Sequence, residues 1–241
     1  ASRPDLPPDE PPTAPELAGR VVGLEAGCGC GSAAFPLLRA NPDLFVLATD
    51  FSAEAIRILR GRGEYAAQLG GPRRLHAFVG DVSAPTGEGA WAWVEALAAA
   101  VGGLHFVTMV FVLSALEGDE IPRAVARASS LLRPGGLAFF RDYGAGDLAQ
   151  RRLEAKGQTD GAGRYERGEG TLARYFSLEE VTDLFADFTA VDVRFVERDI
   201  TNRKQAVTME RRWIQGKFAK NGAPPFRVDA DAPEVVVDQT E

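Results

Sequence analysis

The chain has 241 residues, 45% hydrophobic and 25% charged, a composition that suits one water-soluble α/β domain with a full core. A formal charge of −7 and a pI near 5.1 exclude a grip on nucleic acid by bulk charge, so a polyanion would have to meet a local basic patch. Two cysteines, Cys28 and Cys30, are too few and too close for a disulfide framework or a zinc site, and no apolar run approaches the roughly 20 residues of a membrane span. These features predict a cytoplasmic protein in a reducing compartment, with an organellar or nuclear location as the open alternative, and with no membrane segment and no metal. No signal-peptide pattern is present, and a first residue of Ala1 leaves the natural N-terminus open.

Residues 1–19, with Pro4, Pro7, Pro8, Pro11, Pro12 and Pro15 among acids, are expected to be a disordered, solvated arm that adds no core. Short continuous apolar runs predict strands at Val21 to Ala26, Leu44 to Thr49, Leu75 to Val79, Phe106 to Val112 and Leu137 to Arg141. Runs without alternation mean strands buried on both faces, hence a parallel sheet. Helical patterns fall between them: Ala33 to Ala40, Ala53 to Gly61 after the cap Ser52, Trp91 to Val101, and Ile121 to Leu132 stopped by Arg133-Pro134-Gly135-Gly136. Beyond Phe140 come a long polar loop, a helix from about Leu178 to Phe185, and strands near Val191 to Glu197 and Arg212 to Phe218. The prediction is a doubly wound, Rossmann-like, seven-stranded and mostly parallel sheet with helices on both faces, over residues 20–220. Residues 221–241 are expected to be a disordered acidic tail.

The first strand runs into Glu25-Ala26-Gly27-Cys28-Gly29-Cys30-Gly31, and the second ends in Asp50. Glycines 27, 29 and 31 let the backbone turn sharply and allow a ligand close to the main chain. Asp50 lies at roughly the 20-residue spacing that brings an acid to ribose hydroxyls. A dinucleotide fingerprint would need Gly or Ala where Ser32 stands, and no Walker-type phosphate loop occurs. Glu25, two residues before the first glycine, favours a ligand with positive charge over a pyrophosphate. A tight turn that holds nothing is the alternative, and the two flanking acids argue against it. Ligands in such sheets bind beyond the carboxyl ends of the strands, which here bring Asp50 with Phe51, Gly80-Asp81-Val82 and Val110 to Ser114 to the same pocket. Asp81 is placed to accept from an adenine amino group, with Val82 and Val110 against the ring; Val110 taken alone would read as core.

These residues make the chain resemble a class I S-adenosylmethionine-dependent methyltransferase. More narrowly, it is similar to the methyltransferase-like proteins that make 3-methylcytidine in the tRNA anticodon loop. The narrow similarity rests on Leu24-Glu25-Ala26-Gly27-Cys28-Gly29, Phe35-Pro36-Leu37-Leu38, Asp50-Phe51-Ser52, Phe111-Val112-Leu113-Ser114-Ala115 and Phe140-Arg141-Asp142-Tyr143-Gly144. It continues through Tyr175-Phe176-Ser177, Asn202-Arg203-Lys204 and Arg211-Arg212-Trp213-Ile214-Gln215. The resemblance implies that Gly27, Asp50, Asp81, Val82 and Val110 contact the donor, S-adenosyl-L-methionine, with S-adenosyl-L-homocysteine as product. It also implies tRNA as acceptor and, as in some relatives, an aminoacyl-tRNA synthetase as a candidate partner. Two departures stand out. The family's N-terminal helical segment with Trp-Asp-x-Phe-Tyr is replaced by the proline-rich arm, and its Arg-x-Asp-Gly-Thr-Arg loop reads Arg167-Gly168-Glu169-Gly170-Thr171-Leu172-Ala173-Arg174.

Methyl transfer from a sulfonium asks the enzyme for position and field rather than for a metal or a covalent nucleophile. The two histidines, His76 and His105, accordingly read as structural. When cytosine N3 is alkylated, positive charge appears on the base, and Asp142 is the candidate carboxylate to stabilise it. Arg141 and Tyr143 would orient the base or its phosphates, and Phe140 or Tyr143 would stack on it; a simple Arg141–Asp142 pair is the alternative. Arg167 and Arg174 in a glycine-rich loop, and Arg203, Lys204, Arg211 and Arg212 with their basic neighbours in the last strands, are the candidate RNA contacts, set against the ordinary reading of a solvated charged face. Two other functions stay open: a small-metabolite methyltransferase, which would need no basic patch, and a catalytically silent scaffold subunit that binds the donor or nothing, against which intact Gly27, Asp50 and Asp81 argue.

Overall fold

A computed structural model describes residues 10–67, 73–159, 163–166, 172–202 and 207–226. The apolar runs become β1 (Val21–Ala26), β2 (Leu44–Asp50), β3 (Leu75–Val79), β4 (Leu104–Val110) and β5 (Leu132–Tyr143), all mutually parallel where they pair. β6 (Arg164–Glu166) and β7 (Leu172–Arg174) form a separate antiparallel ribbon. β8 (Phe188–Asn202) and β9 (Val207–Lys220) complete the main sheet as an antiparallel pair, giving seven strands in the order β3-β2-β1-β4-β5-β9-β8. The reversal of strand order at β1 and β4 opens the crevice in which such sheets bind ligands.

Two apolar layers cover the sheet. On one face, α1 (Ala34–Ala40), α2 (Ala53–Arg60) and the short α3 (Gly63–Ala66) bury Phe35, Leu38, Ile56, Leu59 and Tyr65 against Leu44, Val46, Ala48 and Leu75. On the other, α4 (Trp91–Ala100), α5 (Glu120–Leu131) and, beyond α6 (Leu148–Ala155), α7 (Leu178–Leu184) bury Trp91, Val94, Ile121, Val125, Val181 and Phe185 against Phe45, Leu47, Met109 and Phe140. β2 shows why the run reads as it does: six of its seven residues are buried, odd and even positions serving opposite layers. Helix starts follow local chemistry. Ser52 accepts from Ala55 N at 3.2 Å to cap α2, and Ser177 and Glu180 form a reciprocal capping box on α7.

The structure departs from the sequence expectations at several places. Residues 10–19 pack rather than float: a 3-10 turn, Ala14–Leu17, drives Leu17 into the core, and Arg73 Nη1 donates to Glu10 O at 2.7 Å. Residues 1–9 and 227–241 lie outside the described residues, whereas Phe226 returns to the sheet, donating from its N to Gly135 O at 2.7 Å with its ring against His105. β4 ends at Val110 rather than Val112, because Phe111 turns into a left-handed conformation. β8 and β9 run past their predicted ends and project as a ribbon beyond β5, whose pairing with β9 stops at Tyr143↔Trp213. The polar loop after Phe140 contains α6 and the β6–β7 ribbon.

Candidate active site

The turn after β1 is built by Gly27 (φ +65°) and Gly29 (φ +52°). A β-carbon on Gly27 would stand 2.5 Å from Val112 Cγ2, so both space and backbone hand call for glycine. A β-carbon on Gly29 would meet nothing within 4 Å, which leaves that side of the turn open to a ligand. Gly31 backs onto Phe35 and Leu59, on the core side of the same turn. Asp50 fixes the turn from the neighbouring strand: Gly29 N donates to its Oδ2 at 2.9 Å and Ser52 N to its Oδ1 at 2.9 Å.

Glu25 is 5% exposed, and its Oε2 is buried with no hydrogen-bond partner. Burial, and secondarily the charge of Asp50, push its carboxyl up to about 8. Burial first, then the charges of Glu25 and Asp50, push the Cys28 thiol up, which disfavours a thiolate there. Phe51, beside Asp50, leaves a large ring 79% exposed. At the β3 tip, Asp81 receives both the amide (2.8 Å) and the hydroxyl (2.7 Å) of Ser83 on one oxygen, and Val82 is buried. The Asp81–Ala84 turn is held from below by the buried Arg127, whose Nε donates to Val82 O at 2.9 Å while its guanidinium stacks on Trp91 and pairs with Glu95. Val110 is half-buried at the β4 tip. An unpartnered buried carboxylate suits a cation, an exposed ring suits a flat group, and an open glycine turn suits close backbone approach. S-adenosylmethionine carries an ammonium, a sulfonium and an adenine, so these residues fit it.

The other side of the crevice is aromatic and basic. Phe111 (φ +56°) donates its N–H to Arg141 O at 2.7 Å, and its ring lies 4.9 Å from that of Tyr143. Tyr143 in turn walls a cavity of about 320 Å³ together with Tyr175, Leu153, Arg152, Met209 and Arg211. The Tyr143 and Tyr175 rings are 5.6 Å apart, and the Arg211 guanidinium is 6.0 Å from the Tyr143 ring. Arg211 is held by Asp147, fully buried, whose Oδ2 accepts from Arg211 Nε at 3.0 Å and from Arg212 N at 2.7 Å. Oδ1 of Asp147 accepts from Ala149 N at 2.7 Å and caps α6, so one carboxylate aligns both the helix and the arginine that line the cavity.

Several sequence-predicted residues land elsewhere. Phe140 is 1% exposed and packs on Phe176 and Phe185 in the core, so it does not stack on a base. Strand alternation is the reason: Phe140 and Asp142 share one face of β5, Arg141 and Tyr143 the other. Asp142 is 0% exposed; its Oδ2 accepts from Ser114 N and its Oδ1 from Tyr143 N, both at 2.9 Å, so it braces the cavity wall rather than facing into the cavity. Arg141 stacks over Trp213 at 4.7 Å instead of pairing with Asp142. Arg174 pairs with Glu180 at 3.0 Å and lines a different cavity, of about 600 Å³, between α5 and α7. Arg212 points to the opposite face from Arg211, 3.9 Å over Phe195 and beside Glu197. Arg167, Arg203 and Lys204 lie outside the described residues. His76 packs edge-on against Trp93, and His105 Nδ1 accepts from Val22 N at 3.1 Å, both in structural settings. Among the described residues no helix is long and apolar enough to cross a membrane, and no cluster of three or more His, Cys, Asp or Glu could hold a metal ion.

Sequence reasoning missed Asp147, Arg152, Tyr175 and Trp213 as site residues. Asp147 before Leu148-Ala149-Gln150-Arg151-Arg152-Leu153 offered an N-cap acid alone, because the two leucines are five apart and do not share a helix face. Tyr175 and Trp213 stood only within the motifs that carry the resemblance, and nothing in their spacing marked them as lining a cavity or a cluster.

A family model described as a methyltransferase domain matches residues 24–138. The chain is 37% identical over 205 residues to the tRNA N(3)-cytidine methyltransferase METTL2 of Danio rerio, covering 83% of this chain and 54% of that protein. It is 38% identical over 201 residues to the tRNA N(3)-cytidine methyltransferase METTL2B of Homo sapiens, covering 82% and 50%. The chain thus spans about half the length of these curated relatives. Among solved structures, a SAM-dependent methyltransferase from Methanosarcina mazei superposes with a TM-score of 0.60 at 19% identity, over 87% of this chain and 96% of the other, which speaks for the fold. With that fold, that domain and these relatives, the chain belongs to the class I S-adenosylmethionine-dependent methyltransferases.

Proposed function

We propose that the protein transfers a methyl group from S-adenosylmethionine to N3 of a cytidine in the tRNA anticodon loop. The observation that carries this reading is the position of Tyr143, whose ring meets Phe111 at the end of β4 and also walls the aromatic and basic cavity beyond β5. A residue shared by both sides of the crevice brings donor and acceptor into one alignment. The names of the relatives in Danio rerio and Homo sapiens support the choice of cytidine N3 in tRNA. An aminoacyl-tRNA synthetase as protein partner and a cytoplasmic location belong to the same reading.

S-adenosylmethionine would supply an already electrophilic methyl on a sulfonium. The chain's own work is to hold, align and keep water out. Glu25 would receive the ammonium, and Asp50 the ribose hydroxyls, with Gly27, Gly29 and Gly31 keeping the main chain close. Phe51, Val82 and Val110 would bracket the adenine, and the second oxygen of Asp81 would accept from its amino group. On the acceptor side Tyr143 and Tyr175 would stack on the cytosine, with Arg152 and Arg211 above it. Asp142 acts as a positioning residue: it ties Ser114 to Tyr143, and a carboxylate at that place would favour the cation that develops on the base.

The test is incubation with unmodified tRNA and methyl-labelled donor, followed by nucleoside analysis. Label in 3-methylcytidine is expected. Label in another nucleoside or only in a small metabolite would overturn the reading, and no donor binding by calorimetry at millimolar ligand would favour the silent scaffold.

A further inference from the structure

The ribbon of β8 and β9 beyond the main sheet is sorted by charge. Arg198 lies directly opposite Arg211, and Asp199 directly opposite Glu210. Side chains alternate across a strand, so the two arginines share one face and the two acids the other. Like charges placed opposite each other are unfavourable; Asp147 offsets Arg211, while Arg198 has no ion-pair partner among the described residues.

The arginine face is continuous with the cavity. β5 and β9 pair Tyr143 with Trp213 and Arg141 with Gln215, which sets Arg141, Tyr143, Trp213, Arg211 and Arg198 on the same side of the sheet. The Arg141 guanidinium sits 4.7 Å, and that of Arg211 6.0 Å, from the Trp213 ring. Nε of Arg141 is buried without a hydrogen-bond partner. Its pKa is drawn down first by burial and then by the charge of Arg198, which places that second guanidinium within electrostatic reach. The nearby acids are already engaged: Asp147 by Arg211, Glu197 by Arg212 and Glu210 by Arg151.

We propose that Arg141, Arg198 and Arg211, arranged around Trp213, bind a phosphodiester of the acceptor's RNA backbone next to the base cavity. The proposal rests on the reading of the acceptor as RNA. Guanidinium forks match a phosphate's two free oxygens, and the indole face keeps the forks flat and ordered. Tyr143 and Arg211 belong to both the cavity and the cluster, so a nucleotide with its base in the cavity carries its phosphate toward the three arginines.

The experiment measures binding of a fluorescent anticodon-loop RNA to the full chain by anisotropy across a salt series. Arg198 is exposed, so Arg198→Gln leaves the fold and donor binding intact, with calorimetry as the check. Loss of one phosphate contact should lower the log–log salt slope by about 0.7 and weaken binding several-fold, while Arg198→Lys restores most of the slope. Arg141→Gln should act in the same direction. Unchanged slope and affinity in both glutamine variants would overturn the site. Inorganic phosphate at constant ionic strength should compete with the RNA for a phosphate site and lose that effect in both glutamine variants; competition of equal strength in those variants would also overturn the assignment. Nucleoside analysis reads the other question separately: a slope that shifts without 3-methylcytidine formation keeps the phosphate site and removes the proposed reaction, and the reverse result does the opposite.

Discussion

The two halves of the crevice are made in different ways. The β1–β4 half is shaped by backbone: three positive-φ glycines, an amide given to Asp50, and a buried Glu25 whose Oε2 has no hydrogen-bond partner. The β5–β9–β8 half is shaped by side chains: stacked tyrosines, an arginine held by a buried acid, and a ribbon sorted by charge. A backbone-built site tolerates almost no change in shape, because each position has one workable geometry. A side-chain site is tunable residue by residue, since rings and guanidiniums act through area and charge that vary by degrees.

The largest effect that would break this contrast is expected at Gly27. Gly27→Val adds a β-carbon 2.5 Å from Val112 at a φ of +65°, and donor binding measured by calorimetry should disappear. Retained affinity would mean that the turn does not hold the donor. Next comes Asp142→Asn, which keeps the volume and weakens the brace between Ser114 and Tyr143. Transfer to tRNA should fall about 100-fold by misalignment while donor affinity stays within experimental spread; an unchanged turnover would remove Asp142 from the mechanism.

Glu25 gives a graded, pH-dependent effect. Its carboxyl, at about 8 in the free protein, must be ionised to pair with a cationic donor. Donor affinity should therefore rise with pH up to about 8, by at most about tenfold per unit, with uptake of donor releasing a proton at neutral pH. Calorimetry in two buffers of different ionisation heat reads that proton, and Glu25→Gln should abolish it. The same raised carboxyl contributes stability that is fully present below its unfolded value of 4.5 and is lost as pH rises through about 8, so the donor-free protein should melt progressively lower across that window. The smallest effect is expected on the side-chain half. Tyr175→Ala should raise the KM for tRNA about tenfold, the worth of one stacked ring, with kcat and donor affinity little changed.

The parallel sheet was legible because its strands are apolar without alternation, a pattern that only burial on both faces requires. The two acids beside the glycine turn were legible because Glu25 and Asp50 sit at fixed offsets from it, and the structure ties Asp50 to the turn through Gly29 N. The face of β5 was not. In Phe140-Arg141-Asp142-Tyr143 the alternation is plain, yet a strand covered on both sides gives no local sign of which parity meets the ligand. Parity alone therefore could not tell that Phe140 and Asp142 are buried, the one in the core and the other behind the cavity wall. α6 was hidden for another reason: its eight residues bury none of their side chains fully, so its apolar spacing is weak, and what secures it is the Asp147 cap joined to β9 some 65 residues on.

Phe111 is the one non-glycine residue among those described that has a left-handed backbone. For an L-residue that geometry costs roughly 1–2 kcal/mol, which a glycine would avoid. A glycine would also delete the ring that meets Tyr143. A relaxed main chain and an aligned aromatic pair are therefore opposing demands at this position. Laboratory evolution for heat tolerance alone would drift toward glycine here and erode catalysis, whereas selection on turnover would keep phenylalanine and leave the strain in place.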